Sequence, residues 1–237
     1  MKFMVMHKHS PDTEAGKPPT PDFVAKMGAL IGGAAQRGWL VDGEGLGATR
    51  TRSRVTFEGG EARVEHGPYE GRHELPAGFV KVTVTSRDEA IAIARRLGEA
   101  IGEDVELEVG KLTETWDLGL SERPADAPER YLVIHKTNPS SEAGQTRPLG
   151  DLIALLEKDG IATASGSLAP SYRGKRLLWR GGKRTIQDGP FAESKELIGG
   201  YAILEMESMD ACVAFTNEYA ELLLTQHDSL EIDIRPL

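Results

Sequence analysis

An α+β fold built from two repeated units is what this chain predicts, on three observations. The first is an internal echo. Glu65-His66-Gly67-Pro68-Tyr69 returns as Gln187-Asp188-Gly189-Pro190-Phe191, and Asp188 and His66, Glu196 and Glu74, and Gly200 and Gly78 are each separated by the same 122 residues. The second is a pair of short apolar runs, Phe3 to Met6 and Tyr131 to Ile134, bounded by polar residues as buried strands are. The third is that helix-period stretches and Gly-Gly hairpin signals follow each run in the same order. Self-similarity at a fixed spacing marks a duplicated structural unit.

Taken in order, Lys2 to Lys8 matches Arg130 to Lys136 at an offset of 128, and Glu14-Ala15-Gly16 matches Glu142-Ala143-Gly144 at the same offset. By Gly38 and Gly160 the offset is 122, so the first copy carries six extra residues. They lie near Lys17-Pro18-Pro19-Thr20-Pro21, a proline-rich stretch suited to a surface loop before a helix. Leu149, Leu152, Ile153 and Leu156 recur at helical spacing, with Gly160 as a C-terminal stop. Gly59-Gly60 and Gly181-Gly182 each join two strands as a hairpin. Val80, Val82 and Val84 alternate with Lys81 and Thr83, and Ala202, Leu204 and Met206 hold the equivalent positions, which predicts a strand with one apolar face. Ser86 and Glu89 form a capping box that opens a helix running towards Gly102. Cys212, Phe215, Tyr219 and Leu222 supply the apolar stripe of the second-copy helix. Each half closes on a strand, Val105 to Val109 and Leu230 to Ile234.

Each half therefore reads β-α-β-β, the Gly-Pro loop, and β-α-β. Two helices on one face of a small, mostly antiparallel sheet make a unit of ferredoxin-like type. The other sheet face needs cover, and the sister sheet is the simplest one, giving a pseudo-dimer within a single chain. The expected domains are residues 1–112 and 130–237, joined by a polar, proline-bearing linker at 113–129.

Composition narrows the function. With 39% hydrophobic and 27% charged residues the chain is an ordinary globular one. A net charge of −9 argues against a general nucleic-acid binder and against polybasic membrane docking. No apolar run approaches the length of a membrane span, and Met1 to His7 turns polar too soon for a signal peptide. The single cysteine, Cys212, excludes an internal disulfide, so a cytoplasmic location is the expectation; Cys212 itself reads as core. Gly43-Glu44-Gly45-Leu46-Gly47 matches neither the Rossmann nor the P-loop spacing, so no nucleotide motif and no cofactor is expected.

The run from Asp188 to Glu196, followed by Gly199-Gly200-Tyr201, resembles the signature of the YCII-related or DGPF family. Glu231 to Leu237 is similar to that family's ending, and Leu168 and Pro170 sit where its second strand ends in Leu-x-Pro. The resemblance covers nearly all of the second half. The first half follows the same pattern but has His66, Tyr69 and His73 where the motif has Asp, Phe and Lys. The resemblance implies a dimeric α+β barrel with a His/Asp pair in a cleft of each unit. A few members are similar to lyases of small cyclic or chlorinated compounds, and others occur beside sigma factors.

The candidate chemistry centres on His135 and Asp188. A carboxylate that accepts from one imidazole nitrogen orients the other as a general base, and Gly189-Pro190 would stiffen the turn that carries the acid. The bland alternative is that Asp188 caps its own turn and His135 is a satisfied, half-buried side chain. In the first half His7 and His66 hold the equivalent places, and two imidazoles cannot repeat that arrangement, so this site is expected to be degenerate. A metal site from His7, His9, His66 and His73 lacks any tight ligand spacing. Arg173, Lys175, Arg176, Arg180, Lys183 and Arg184 span the second hairpin and read either as attraction for an anionic substrate or, more often, as a solvated face. Arg173 and Lys183, with Ser167 and Glu196, complete the candidate ligand contacts. One reading is a cofactor-independent, lyase-like enzyme acting on a small polar or aromatic molecule, with His135 as base. The other is a non-catalytic binding or regulatory module. Association of two chains into a homodimer is left open.

Overall fold

The computed structural model describes residues 1–72, 75–136, 146–191 and 197–237. The first repeat supplies β1 (Lys2–Lys8), α1 (Pro11–Glu14), α2 (Pro21–Gln36), β2 (Leu40–Gly45), β3 (Ser53–Glu58), β4 (Glu61–His66), β5 (Pro76–Val84), α3 (Arg87–Ile101) and β6 (Val105–Lys111). The second supplies β7 (Glu129–Lys136), α4 (Arg147–Lys158), β8 (Ala162–Ser167), β9 (Lys175–Arg180), β10 (Lys183–Asp188), β11 (Ile198–Glu205), α5 (Met209–Leu223) and β12 (Leu230–Pro236). Each repeat carries six strands, one more than its pattern indicates. In β2 and β8 glycines and polar residues hide the alternation that marks a strand, although β8 ends just before the Leu168 and Pro170 at which the family resemblance puts a strand's end.

Helix ends follow local chemistry. Thr20, Ser86, Thr146 and Ser208 each accept a backbone N–H of the first turn through the side-chain oxygen. Glu89 accepts from the backbone N–H and hydroxyl of Thr85, the residue before the Ser86 cap, and these hold its carboxyl below the ordinary value. Gly102 and Gly160 follow α3 and α4 at φ +77° and +72°, the left-handed conformation in which glycine carries no penalty.

The strands form two antiparallel sheets, ordered β10-β9-β12-β1-β11-β2 and β4-β3-β6-β7-β5-β8. Each sheet takes strands from both repeats. β1 lies between β11 and β12 of the second repeat, and β7 lies between β5 and β6 of the first. The chain accordingly divides into two units. One draws its described residues from 1–45, 168–191 and 197–237, and the other from 46–72, 75–136 and 146–167. The units thus do not coincide with residues 1–112 and 130–237. The physical reason is the duplication itself: Phe3, Val5 and His7 of β1 match Tyr131, Val133 and His135 of β7. Either strand therefore fits the slot between the flanking strands, and an exchange keeps every ladder bond. Both sheets are open rather than closed into a barrel, since β10, β2, β4 and β8 pair on one side only among the described residues.

On the helix face of the β1 unit, Phe3, Val5, Leu204 and Ile232 pack against Cys212 and Phe215 of α5. Burial pushes the Cys212 thiol up to about 12, which makes it the inert core residue the sequence suggests. In the β7 unit Val80, Val82 and Val133 pack against α3 and α4, including Leu149, Ile153 and Leu156. β5 is buried on its other face as well, at Phe79 and Lys81.

The helix-free faces carry buried charge. In the β1 unit, Asp233 accepts from Arg176 Nε at 2.6 Å and Nη2 at 2.8 Å and lies 3.2 Å from Lys8 Nζ, and Glu231 lies 3.3 Å from Arg176 Nε. In the β7 unit, Glu108 accepts from Arg52 at 2.7 Å and Lys136 at 3.3 Å, while Glu106 accepts from Lys136 at 2.7 Å and lies 3.1 Å from Arg54 Nε. Desolvation alone would raise Asp233 and Glu108, but Lys8 with Arg176, and Lys136 with Arg52, hold both below the ordinary carboxylate range. Lys8, Glu231, Asp233 and Arg176 stand at the repeat positions of Lys136, Glu106, Glu108 and Arg54. The Gly-Pro loops close both networks. Phe191 lies over the Arg176 guanidinium at 4.7 Å, and Tyr69 lies over that of Arg54 at 4.1 Å. The segment 113–128 has no strand or helix, as a linker should, and is tied down by Arg130, which donates twice to Glu114 at 2.6 Å.

Candidate functional site

Both sheets end on the same local arrangement. His7 stands opposite Gly200, and Gly200 opposite Gly45, in a row across β1, β11 and β2. His135 stands opposite Gly78, and Gly78 opposite Ser167, across β7, β5 and β8. Directly opposed residues of antiparallel strands point to one side, and here that is the helix side. Each imidazole folds over its glycine. A Cβ on Gly78 would lie 2.4 Å from His135 Cε1, and one on Gly200 would lie 2.4 Å from His7 Cε1. Glycine at 78 and 200 is therefore what allows the ring to lie across the neighbouring strand.

The two copies differ in what holds the ring. In the β1 unit Tyr219 Oη lies 2.7 Å from His7 Nδ1. Burial raises the Tyr219 phenol, so it stays a hydroxyl able to donate to that nitrogen. The equivalent position of α3 is Leu97, which has no such group. Among the described residues no hydrogen bond or ion pair reaches His135, and burial pushes its pKa down to about 4. Its ring is neutral at pH 7, with one N–H donor and one acceptor nitrogen. Ser167 Oγ, on the same face across Gly78, is buried and has no hydrogen-bond partner among the described residues.

Asp188 belongs to the β1 unit and His135 to the β7 unit. Asp188 ends the edge strand β10, is 79% exposed, and accepts from Lys175 Nζ at 2.5 Å. Even within its own unit it is remote from the histidine: Asp188 pairs with Lys175, Lys175 with Ile234, and Ile234 with Val5 on the His7 strand. Three strand spacings put the two backbones about 14 Å apart. His66 repeats that placement at the end of β4, with Nδ1 3.0 Å from Ser53 Oγ, whose oxygen also accepts from Arg87 Nε at 2.8 Å. His7 and His66 likewise belong to different units.

The remaining candidates scatter. Arg173 and Lys183 are exposed, Lys175 is engaged by Asp188, and Arg176 is buried in its network instead of lying on a solvated hairpin face. Glu196, Glu74 and His73 lie outside the described residues. His9 bonds Glu14 at 2.9 Å, and among the described residues no group of three or more His, Cys, Asp or Glu is placed to hold a metal ion. No helix among them is long and apolar enough to cross a membrane. Sequence reasoning missed Tyr219 as a polar partner by reading it only as part of an apolar stripe. It also noted His7 with His135 and Gly78 with Gly200 as repeats without pairing them. The signal was available, since both pairs recur together in the two copies.

Residues 130–221 match the family model of the YCII-related domain, as one copy. No curated protein and no solved structure matches the chain. The matched segment includes His135, Ser167, Asp188 and Gly189. Within it, the geometry separates the roles of the Gly-Pro turn. A Cβ on Gly189 would lie 1.9 Å from the Ser171 carbonyl oxygen, whereas the Asp188 side chain points into solvent. Gly189→Ala is expected to lower unfolding stability by about 2 kcal/mol or more, because backbone must move to admit the methyl group. Asp188→Asn, which removes only an exposed ion pair, is expected to cost under about 1 kcal/mol. Chemical denaturation of both variants measures the contrast, and equal losses would contradict it.

Proposed function

We propose that the β7 unit binds a compact polar molecule beside the His135 ring, held between the imidazole and the Ser167 hydroxyl. One observation carries this reading: two polar groups share a row and a face, and neither has a protein hydrogen-bond partner among the described residues. Buried polar groups in folded proteins are almost always satisfied, by protein, water or ligand. A neutral imidazole and a hydroxyl both donate and accept, which suits a carboxylic acid, a phenol or an amide. The YCII-related match over residues 130–221 supports the placement, since it spans both His135 and Ser167.

Proton abstraction by His135, the opening step of a lyase-like elimination, is the chemistry this pair would support once an anionic substrate raised the imidazole towards neutrality. A binding module without chemistry is the second reading. It is favoured by the pKa of about 4, which makes the unliganded ring a weak base at pH 7.

Two measurements test the reading. NMR titration of the His135 ring is expected to give a midpoint near 4, below the 6.5 of an ordinary histidine. The unfolded chain then binds more protons between those two values, so stability falls as pH drops from about 6.5 towards 4, by at most ~3 kcal/mol. His135→Gln should flatten that part of the profile relative to the unmodified chain, and an unchanged slope would count against a buried neutral ring. A panel of small carboxylic acids, phenols and amides, screened by chemical-shift change at His135, should give hits that Ser167→Ala abolishes while the fold is kept. Hits that leave His135 unmoved, or that survive Ser167→Ala, would contradict the proposal.

A further inference from the structure

The two equivalent edge hairpins carry opposite charge. Residues 58–66 of the β3-β4 hairpin hold three glutamates, Glu58, Glu61 and Glu65, against Arg63, whereas residues 180–188 of the β9-β10 hairpin hold Arg180, Lys183 and Arg184 against Asp188. Both outer strands end their sheets and pair on one side only among the described residues. All six residues of β10 are exposed, and Ile186 at their centre is 41% exposed. Glu58, Glu61, Lys183 and Arg184 have no ion-pair partner among the described residues.

An open strand edge presents unpaired N–H and C=O groups, and charges along it decide what pairs there. Two β10 edges would bring like hairpins together, as would two β4 edges. We infer that β10 of one chain docks on β4 of a second copy, edge to edge. An antiparallel register exists that opposes Glu65 to Lys183, Ala62 to Ile186, Arg63 to Thr185 and Gly60 to Asp188, with no like charges directly opposed. It covers Ile186 with an apolar neighbour, and the helix sides of the two sheets stay aligned. The overall charge of −9 opposes association at long range, so the contact depends on local complementarity.

The test uses the full chain and sedimentation with light scattering up to about 1 mM protein. The unmodified chain is expected to self-associate. Lys183→Glu with Arg184→Glu, and separately Glu65→Lys on β4, should each weaken self-association about tenfold or more, because each opposes like charges at the 65–183 pair. Mixing the two variants should then give a one-to-one heterodimer, since one complementary β4-β10 contact is restored between them. That rescue separates a charge effect from a folding defect. A chain that stays monomeric throughout would overturn the inference. So would association untouched by the β4 substitution, or variants that associate as well alone as when mixed.

Discussion

The constraint on which the structure depends is that the strand opening each repeat sits in the middle of a sheet, flanked by strands of the other repeat. β1 pairs with β11 and β12, and β7 with β5 and β6. A central strand commits both of its faces and both of its edges, so its position fixes everything around it. On the helix side it carries Phe3 and Val5, or Tyr131 and Val133, into the core and ends on a histidine. On the other side it ends on Lys8 or Lys136, which enters a buried network with the acids of the adjacent strand. Each histidine-over-glycine site is thus composite, with the histidine from one repeat and the glycine from the other.

The buried networks explain much of what the Gly-Pro motif does. A buried arginine and carboxylate are tolerated only when both are paired and shielded. Phe191 and Tyr69 supply part of that shield, and they reach the guanidinium because Gly189 and Gly67 let the loop pass against the carbonyls of Ser171 and Thr49. The motif's glycine and aromatic residue therefore have a packing account that holds equally in both copies. Its acid does not: Asp188 and His66 are exposed, and the sequence differs there.

Much of the fold was legible because duplication and period leave local signals. The capping residues Ser86 and Ser208, the stop at Gly160 and the valines of β5 each depend only on neighbours in sequence. β2 and β8 were not legible from alternation, which Gly43, Gly45 and Gly166 break; only the family resemblance, through Leu168 and Pro170, marked the end of β8. The exchange of β1 and β7 was not legible either, since two nearly identical strands leave no sequence-level preference for one slot over the other. The site was half readable: His135 and Ser167 share a row, but the glycine between them and the hydroxyl of Tyr219 in the other copy acquire meaning only through register.

The exchange is the central claim, and cross-strand nuclear Overhauser effects test it most directly. The account predicts contacts between Val5 and Ile234 and between Val133 and Val109, the pairs opposed across β1-β12 and β7-β6. Contacts between Val5 and Val109 and between Val133 and Ile234 would mean that each repeat closes on its own strand, and would contradict it.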